Sequence, residues 1–430
     1  LCLVPPYFFN ADDFTATHDV FFQIETNKSP EGLMSGHSND DHDKSRSARL
    51  AELAGLYLKL GTIGFGGPAA TIAMMEDEVV QRRRWITQGE FLDLLGATNL
   101  IPGPNSTEMA IHIGSRRAGW LGLIVAGSCF ILPAAIIVGV LAWAYVNYGR
   151  LPPAQGLLYG VKPVVLAIVI QAVWRLGLSA MKTKLLIAVS LLVAILAFLG
   201  VNELAILFGA GLAVMSWHSL ISRKGTHSPS LSGILPGIPL AAAKAATSAA
   251  SAVSVGLWPM FLFFIKIGSV LFGSGYVLLV FLRADLVDRW HWLTESQLLD
   301  AVAVGQITPG PVFTTATFIG YLLSGTPGAI LATVGIFLPA FVFVAISGPL
   351  VPRLRRSPLT AAFLDGLSAA SVALMSVVVI QLAHAAFVDI PTIVLGAASA
   401  FLLLRYRLNS SWLVLGGTVV GILVFTFKHQ

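Results

Sequence analysis

Two stretches interrupt an otherwise apolar chain with the same signal. Gly96 to Glu108 reads Gly-Ala-Thr-Asn-Leu-Ile-Pro-Gly-Pro-Asn-Ser-Thr-Glu, and Ala303 to Thr315 reads Ala-Val-Gly-Gln-Ile-Thr-Pro-Gly-Pro-Val-Phe-Thr-Thr. Pro102 and Pro104, like Pro309 and Pro311, lack a backbone donor and break any helix around Gly103 and Gly310. In hydrocarbon such a break is tolerated only where protein or a water-filled cavity satisfies the freed backbone groups. A helix restarting after the break turns unpaired N–H groups and its positive dipole end toward that cavity. That chemistry suits an anion.

The setting is a membrane. Of the 430 residues 56% are apolar and only 11% charged, with a mean hydropathy of +0.79, against about 25% charged in soluble proteins. The net charge of +5 is modest and its basic residues fall between apolar runs, which argues against a nucleic-acid partner. Cys2 and Cys129 form no disulfide framework and no Cys-x-x-Cys motif. Residues 1–47 carry no basic-then-apolar leader, so no cleavable signal peptide is expected. The expected location is the plasma or inner membrane, crossed many times.

The chain divides into a polar, disordered tail (1–48), a first repeat (49–222), a Ser, Pro, Gly and Ala-rich linker (223–255) and a second repeat (256–430). The Asp and His residues of the tail could hold a metal, but a solvated segment is the plainer reading, and no metal or cofactor is expected. Lys59, Gly61, Phe65, Gly66, Arg82, Trp85, Thr87 and Asp93 recur as Lys266, Gly268, Phe272, Gly273, Arg289, Trp292, Thr294 and Asp300. The offset is 207 throughout, and the Pro-Gly-Pro breaks keep it. Gly114, Gly119, Gly122 and Pro133 recur at 206, as Gly320, Gly325, Gly328 and Pro339. This is an internal duplication.

Basic residues decide how the copies are related. Suppose each Pro-Gly-Pro segment is re-entrant, leaving about five spans per repeat. The repeats are then inverted, and one face collects Arg82, Arg83, Arg84, Arg116, Arg117, Arg353, Arg355 and Arg356 among others. The opposite face keeps about half as many. If the segment spans instead, the copies are parallel and the charges divide almost evenly. The expected fold is therefore an all-α polytopic membrane protein built from two inverted repeats.

Inverted repeats with discontinuous helices near the midplane describe a secondary transporter. After the first break come Asn105, Ser106 and Thr107, and after the second Thr314 and Thr315, all able to donate to an oxyanion. Gly66 and Gly67, with Gly273 in the second repeat, belong to glycine-rich stretches that either line the site as unwound backbone or pack helices closely. Lys59 and Lys266 lie inside apolar runs, where a charge is costly and marks function unless it snorkels to the interface. Lys162 is a weaker case, since its counterpart is Ser368. Glu108 is either a helix-start charge or a proton-coupling group, because a carboxylate beside a dianion repels it unless protonated. Asp93 and Asp300 read as interface or gate residues, and His112 as a packed core histidine. No Ser/His or paired-Asp constellation, flavin fingerprint or cysteine pair supports an enzyme.

These motifs carry a resemblance. Gly-Phe-Gly-Gly-Pro (64–68), Asn-Leu-Ile-Pro-Gly-Pro-Asn-Ser-Thr-Glu (99–108), Phe-Ile-Leu-Pro-Ala (130–134) and the second break (305–315) resemble the chromate ion transporter family, two-domain type. The resemblance implies export of chromate from the cytoplasm and chromate resistance, with sulfate as a structural analogue or competitor; a carrier of sulfate or another tetrahedral oxyanion, of the same charge and shape, is the alternative reading. It implies a lipid bilayer as surroundings and allows a homodimer. Phe272-Gly273-Ser274-Gly275 departs from the Gly-Gly-Pro pattern, so the two halves need not contribute equally.

Overall fold

The computed structural model describes residues 46–65, 67–149, 151–223, 256–272, 275–355, 357–406 and 410–428. Most of the tail and linker expected from the sequence therefore lies outside the described residues. All elements described are helical. The first repeat runs α1 (Arg46–Ile63), α2 (Gly67–Glu76), α3 (Gln88–Thr98), α4 (Asn105–Tyr148), α5 (Pro152–Ala180), α6 (Lys184–Phe198) and α7 (Glu203–Arg223). The second runs α8 (Leu257–Val270), α9 (Leu278–Leu282), α10 (Glu295–Ile307), α11 (Thr315–Arg355), α12 (Pro358–Ala386), α13 (Ile390–Tyr406) and α14 (Ser410–Lys428). Five of the described helical segments are long and apolar enough to cross a membrane. The protein is a multi-pass membrane protein.

The first repeat opens with two helices rather than one. Gly64 and Phe65 leave the helix, α2 follows, and a π-helical turn (Asp77–Arg82) closes the segment. Lys59 Nζ lies 2.7 Å from Glu78 Oε1. Nineteen residues along one straight helix would separate them by about 28 Å, so α2 doubles back on α1. The second repeat does the same, with Lys266 Nζ 2.7 Å from Asp285 Oδ2 in the π-helical turn Arg283–Arg289.

Helix α4 is also a hairpin. Ala118 and Gly119 are non-helical, Gly119 with φ +65°, and the arm before them packs on the arm after. A Cβ on Gly114 would run into the Gly122 carbonyl oxygen, and one on Gly122 would run into that of Gly114. Only glycine permits that approach. Ser324 and Gly325 reverse α11 in the same way, with Gly320 against Gly328. The glycine register seen in the sequence is thus the register of two tight helical hairpins.

The long second arms of α4 and α11 pack antiparallel. Trp120, Leu123 and Ile124 share an apolar groove with Phe341, Val342, Ala345 and Ile346, while Trp143 shares one with Thr326 and Ile330. Numbers rise along one helix as they fall along the other, which is the inverted arrangement. Around this centre the repeats exchange helices. Helices α6 and α7 pack on α12, and α13 and α14 on α5. Gly160 meets Gly417 and Gly421 backbone to backbone, and its copy Gly366 meets Ala210 and Gly211. Each contact set is the other's copy.

Candidate functional site

The break segments start cleanly. Thr87 caps α3 reciprocally with Glu90, and Thr294 caps α10 with Gln297. Helix α3 stops at Thr98, α4 begins at Asn105 behind the extended Pro104, and residues 99–104 between them are irregular. In the second repeat Thr308 is extended, a single 3₁₀ turn (Val312–Thr314) follows Pro311, and α11 continues from it. Gly103 and Gly310 take φ of +144° and +93°, which only glycine adopts without strain.

The freed backbone groups find each other. Gly103 donates its N–H to the Leu271 carbonyl at 2.8 Å, and Gly310 donates to the Gly64 carbonyl at 3.1 Å. Residues 64 and 271 are equivalent by the 207 offset, and each lies where the first helix of its repeat ends. An orphan carbonyl of one repeat therefore receives an orphan N–H of the other. A Cβ on Gly310 would press on Ala134, and one on Gly103 would lie 3.6 Å from Ala340. Both alanines sit near the middle of a long second arm. Each pair of interruptions thus joins one repeat to the other beside the middle of a long second arm.

The side chains there are mostly buried and sparsely bonded. Asn105 Nδ2 donates to Asn99 Oδ1 at 2.8 Å, and its own Oδ1 has no partner among the described residues. Ser106 and Thr107 are buried, and the Thr107 hydroxyl has no partner among the described residues. Glu108 is fully buried with neither carboxyl oxygen bonded among the described residues, and it lies against Gly103, where a Cβ would collide with Oε1. Thr314 and Thr315 donate their hydroxyls to Pro311 and Val312 carbonyls of their own turn, so those protons are already used. Gln306 Nε2 is buried and has no partner among the described residues. Gln306 lines a cavity of about 10 Å³ with Gly275, Val312 and Thr315, room for about one water.

Gly67 opens α2 with φ +80°, while Gly66 and Gly273 lie outside the described residues. The structure draws Lys59 and Lys266 into ion pairs rather than leaving them free. Glu78 is also held by Arg83 (3.2 Å), and Asp285 by Arg289 (2.7 Å). Asp300 is buried and joins the repeats, accepting from Tyr145 at 2.9 Å and pairing with Lys162 at 3.3 Å. His112 is packed one turn beyond Glu108 with an unbonded Nε2. Among the described residues no group of three metal-ligating side chains gathers.

Glu78, Asp285, Asn99 and Gln306 escaped the sequence reading. The signal was present: the 207 offset carries acid onto acid and amide onto amide at these positions.

The comparison with protein families follows the same symmetry. The chromate transporter family model matches residues 51–215 and again 258–422, two regions 207 residues apart at both ends. This chain belongs to the chromate transporter family. It is 34% identical over 390 residues to a chromate transport protein of Cupriavidus metallidurans, covering 89% of this chain and 94% of the relative. A chromate transport protein of Pseudomonas aeruginosa is 33% identical over 389 residues, covering 87% and 92%. A probable chromate transport protein of Synechococcus elongatus is 32% identical over 352 residues, covering 81% and 88%. No solved structure matches the chain. Within this family fold, the reciprocal Gly103 and Gly310 bonds mark where the two matched regions interlock.

Proposed function

We propose that this chain exports chromate from the cytoplasm and so confers chromate resistance. The observation that carries the reading is that each Pro-Gly-Pro break lies beside the middle of a long second arm and is bonded to the end of the other repeat's first helix. The N–H groups of Asn105 and Ser106 open α4, and those of Val312 and Phe313 open the second restart. None has a backbone acceptor among the described residues. Such helix starts receive oxyanions through N–H donors and dipole together. Asn105 and Thr107 enrich the first of them, and Thr107 has a hydroxyl to spare.

In this reading each break is the tip of a re-entrant hairpin. Arg117, at the end of the first arm of α4, lies over the Trp85 ring at 4.6 Å and pairs with Glu52 at 3.1 Å. These contacts support a segment 85–117 that returns to the level at which it started. Asp300, early in α10, meets Tyr145 at the far end of α4, so the second hairpin enters from the opposite side. Voltage alone supplies export: a dianion leaving through 100 mV gains about 4.6 kcal/mol, about three decades of gradient.

The test is efflux of chromate from proteoliposomes under imposed voltage, titrated for wild type, Asn105→Ala and Val312→Ala. A hydrogen bond to a charged ligand contributes about 1.5–3 kcal/mol, so Asn105→Ala weakens chromate affinity roughly ten- to a hundredfold while Val312→Ala leaves it nearly intact. Equal effects at equal expression would mean that the first-repeat site is misplaced. Transport of sulfate in preference to chromate would make the chain a carrier of another tetrahedral oxyanion.

A further inference from the structure

Two buried carboxylates stand outside the anion site and are copies of one another. Glu78 and Asp285 occupy equivalent positions in equivalent π-helical turns, Asp77–Arg82 and Arg283–Arg289. π-Turns inside helices concentrate at functional positions. Each acid binds the lysine of the facing helix, Lys59 or Lys266, at 2.7 Å. Glu78 also holds Arg83 at 3.2 Å and Arg82 at 3.6 Å, and Asp285 holds Arg289, the copy of Arg82, at 2.7 Å. The acids are buried, whereas the lysine side chains are 49% and 38% exposed. Five residues beyond each lysine is the carbonyl, Gly64 or Leu271, that receives the other repeat's break glycine.

We propose that Lys59–Glu78 and Lys266–Asp285 are two ion-pair gates, one on each side of the anion site, whose lysine leaves its carboxylate to accompany the passing oxyanion. The inference rests on the transport reading above. Its physical basis is the third charge. A buried carboxylate stripped of its only cation is strongly disfavoured, but here the arginine remains when the lysine goes. The lysine is suited to the exchange because its ammonium is a compact charge with three rotatable donors, able to accept one anion in place of another. Inversion of the repeats places the gates on opposite sides. The backbone bonds from Gly103 and Gly310 tie the tip beside each gate to the other repeat, so opening one side is felt on the other.

The experiment is a double-mutant cycle with sidedness. Glu78→Gln, Asp285→Asn and the double variants Lys59→Gln/Glu78→Gln and Lys266→Gln/Asp285→Asn are reconstituted in oriented proteoliposomes. Chromate and sulfate are each presented from either face. Glu78→Gln releases Lys59 to the anion and lowers KM roughly tenfold, the scale of one charge-assisted hydrogen bond, from one face only. Asp285→Asn does so from the opposite face, and removing the lysine as well abolishes each gain. A second readout needs no transport. In a chain carrying Cys2→Ser, Cys129→Ser and Phe65→Cys, an impermeant maleimide labels position 65 several-fold faster when Glu78→Gln is added. Gains from both faces, gains that survive loss of the lysine, unchanged KM or unchanged labelling would each overturn the gate assignment. Wild type that moves neither anion would overturn the transport reading instead, with the labelling result still deciding whether Glu78 holds that hairpin shut.

Discussion

Gly103 and Leu271, 168 residues apart in the chain, share a 2.8 Å backbone hydrogen bond that Gly310 and Gly64 repeat at 3.1 Å. The pair converts two separate liabilities into one joint. A carbonyl left over where α1 or α8 ends, and an N–H left over between two prolines, would each be costly in an apolar interior. Brought together they satisfy one another, and neither repeat can do this alone.

Replacing the break glycines tests that joint. Gly310→Ala places a Cβ 2.7 Å from that of Ala134 at φ +93°, and the conformational strain alone costs about 1–3 kcal/mol. Gly55 is exposed in α1, and a methyl added there would meet nothing within 4 Å, so Gly55→Ala should be neutral or stabilise by up to about 1 kcal/mol. Thermal unfolding of the detergent-solubilised protein separates the two.

The cross-repeat cluster at Asp300 gives a graded series. Lys162→Met leaves the buried Asp300 without its cation and costs about 3–5 kcal/mol. Tyr145→Phe removes one hydrogen bond and costs about 0.5–1.5 kcal/mol. Adding Asp300→Asn to Lys162→Met should recover most of the loss. The ordering of unfolding midpoints is the measurement, and equal midpoints for all three would deny the cluster a structural role.

Inversion predicts sidedness. Arg116 and Arg289 are both accessible enough to report, and single cysteines at these positions, in a background with Cys2→Ser and Cys129→Ser, should label from opposite faces of the membrane. Labelling of both from one face would exclude the inverted arrangement in the bilayer.

Glu108 tests proton coupling. With both oxygens unbonded and the side chain against the break, it is placed to carry a proton while an anion is bound. Glu108→Gln keeps the shape and removes the titration. Transport should then lose its response to an imposed pH gradient and keep its response to voltage. An unchanged pH response would leave Glu108 as a helix-start charge.

The repeat, its inversion and the breaks were legible because proline chemistry and basic-residue asymmetry act locally and leave marks in sequence. Gly114, Gly119 and Gly122 were visible as a register, yet their use in a hairpin was not, since close backbone approach requires knowing the partner. Lys59 looked like a free charge because its partner Glu78 lies nineteen residues on, a separation that no single-helix period joins. Thr314 and Thr315 looked like donors to a ligand. Their bonds to the carbonyls of Pro311 and Val312 depend on a 3₁₀ turn that composition does not specify.

The exchange of helices between repeats also sets an order of events during synthesis. Gly156 and Gly160 on α5 present a bare backbone face whose partners are Gly417 and Gly421 on α14. At about 5–20 residues per second on the ribosome, that face waits roughly 13–50 s for its cover. For that interval the first half of the chain is already inserted but unfinished, holding open a groove that α14 later fills. Truncation near the carboxyl end should therefore strand the amino-terminal half as a target for membrane quality control, however intact its own sequence.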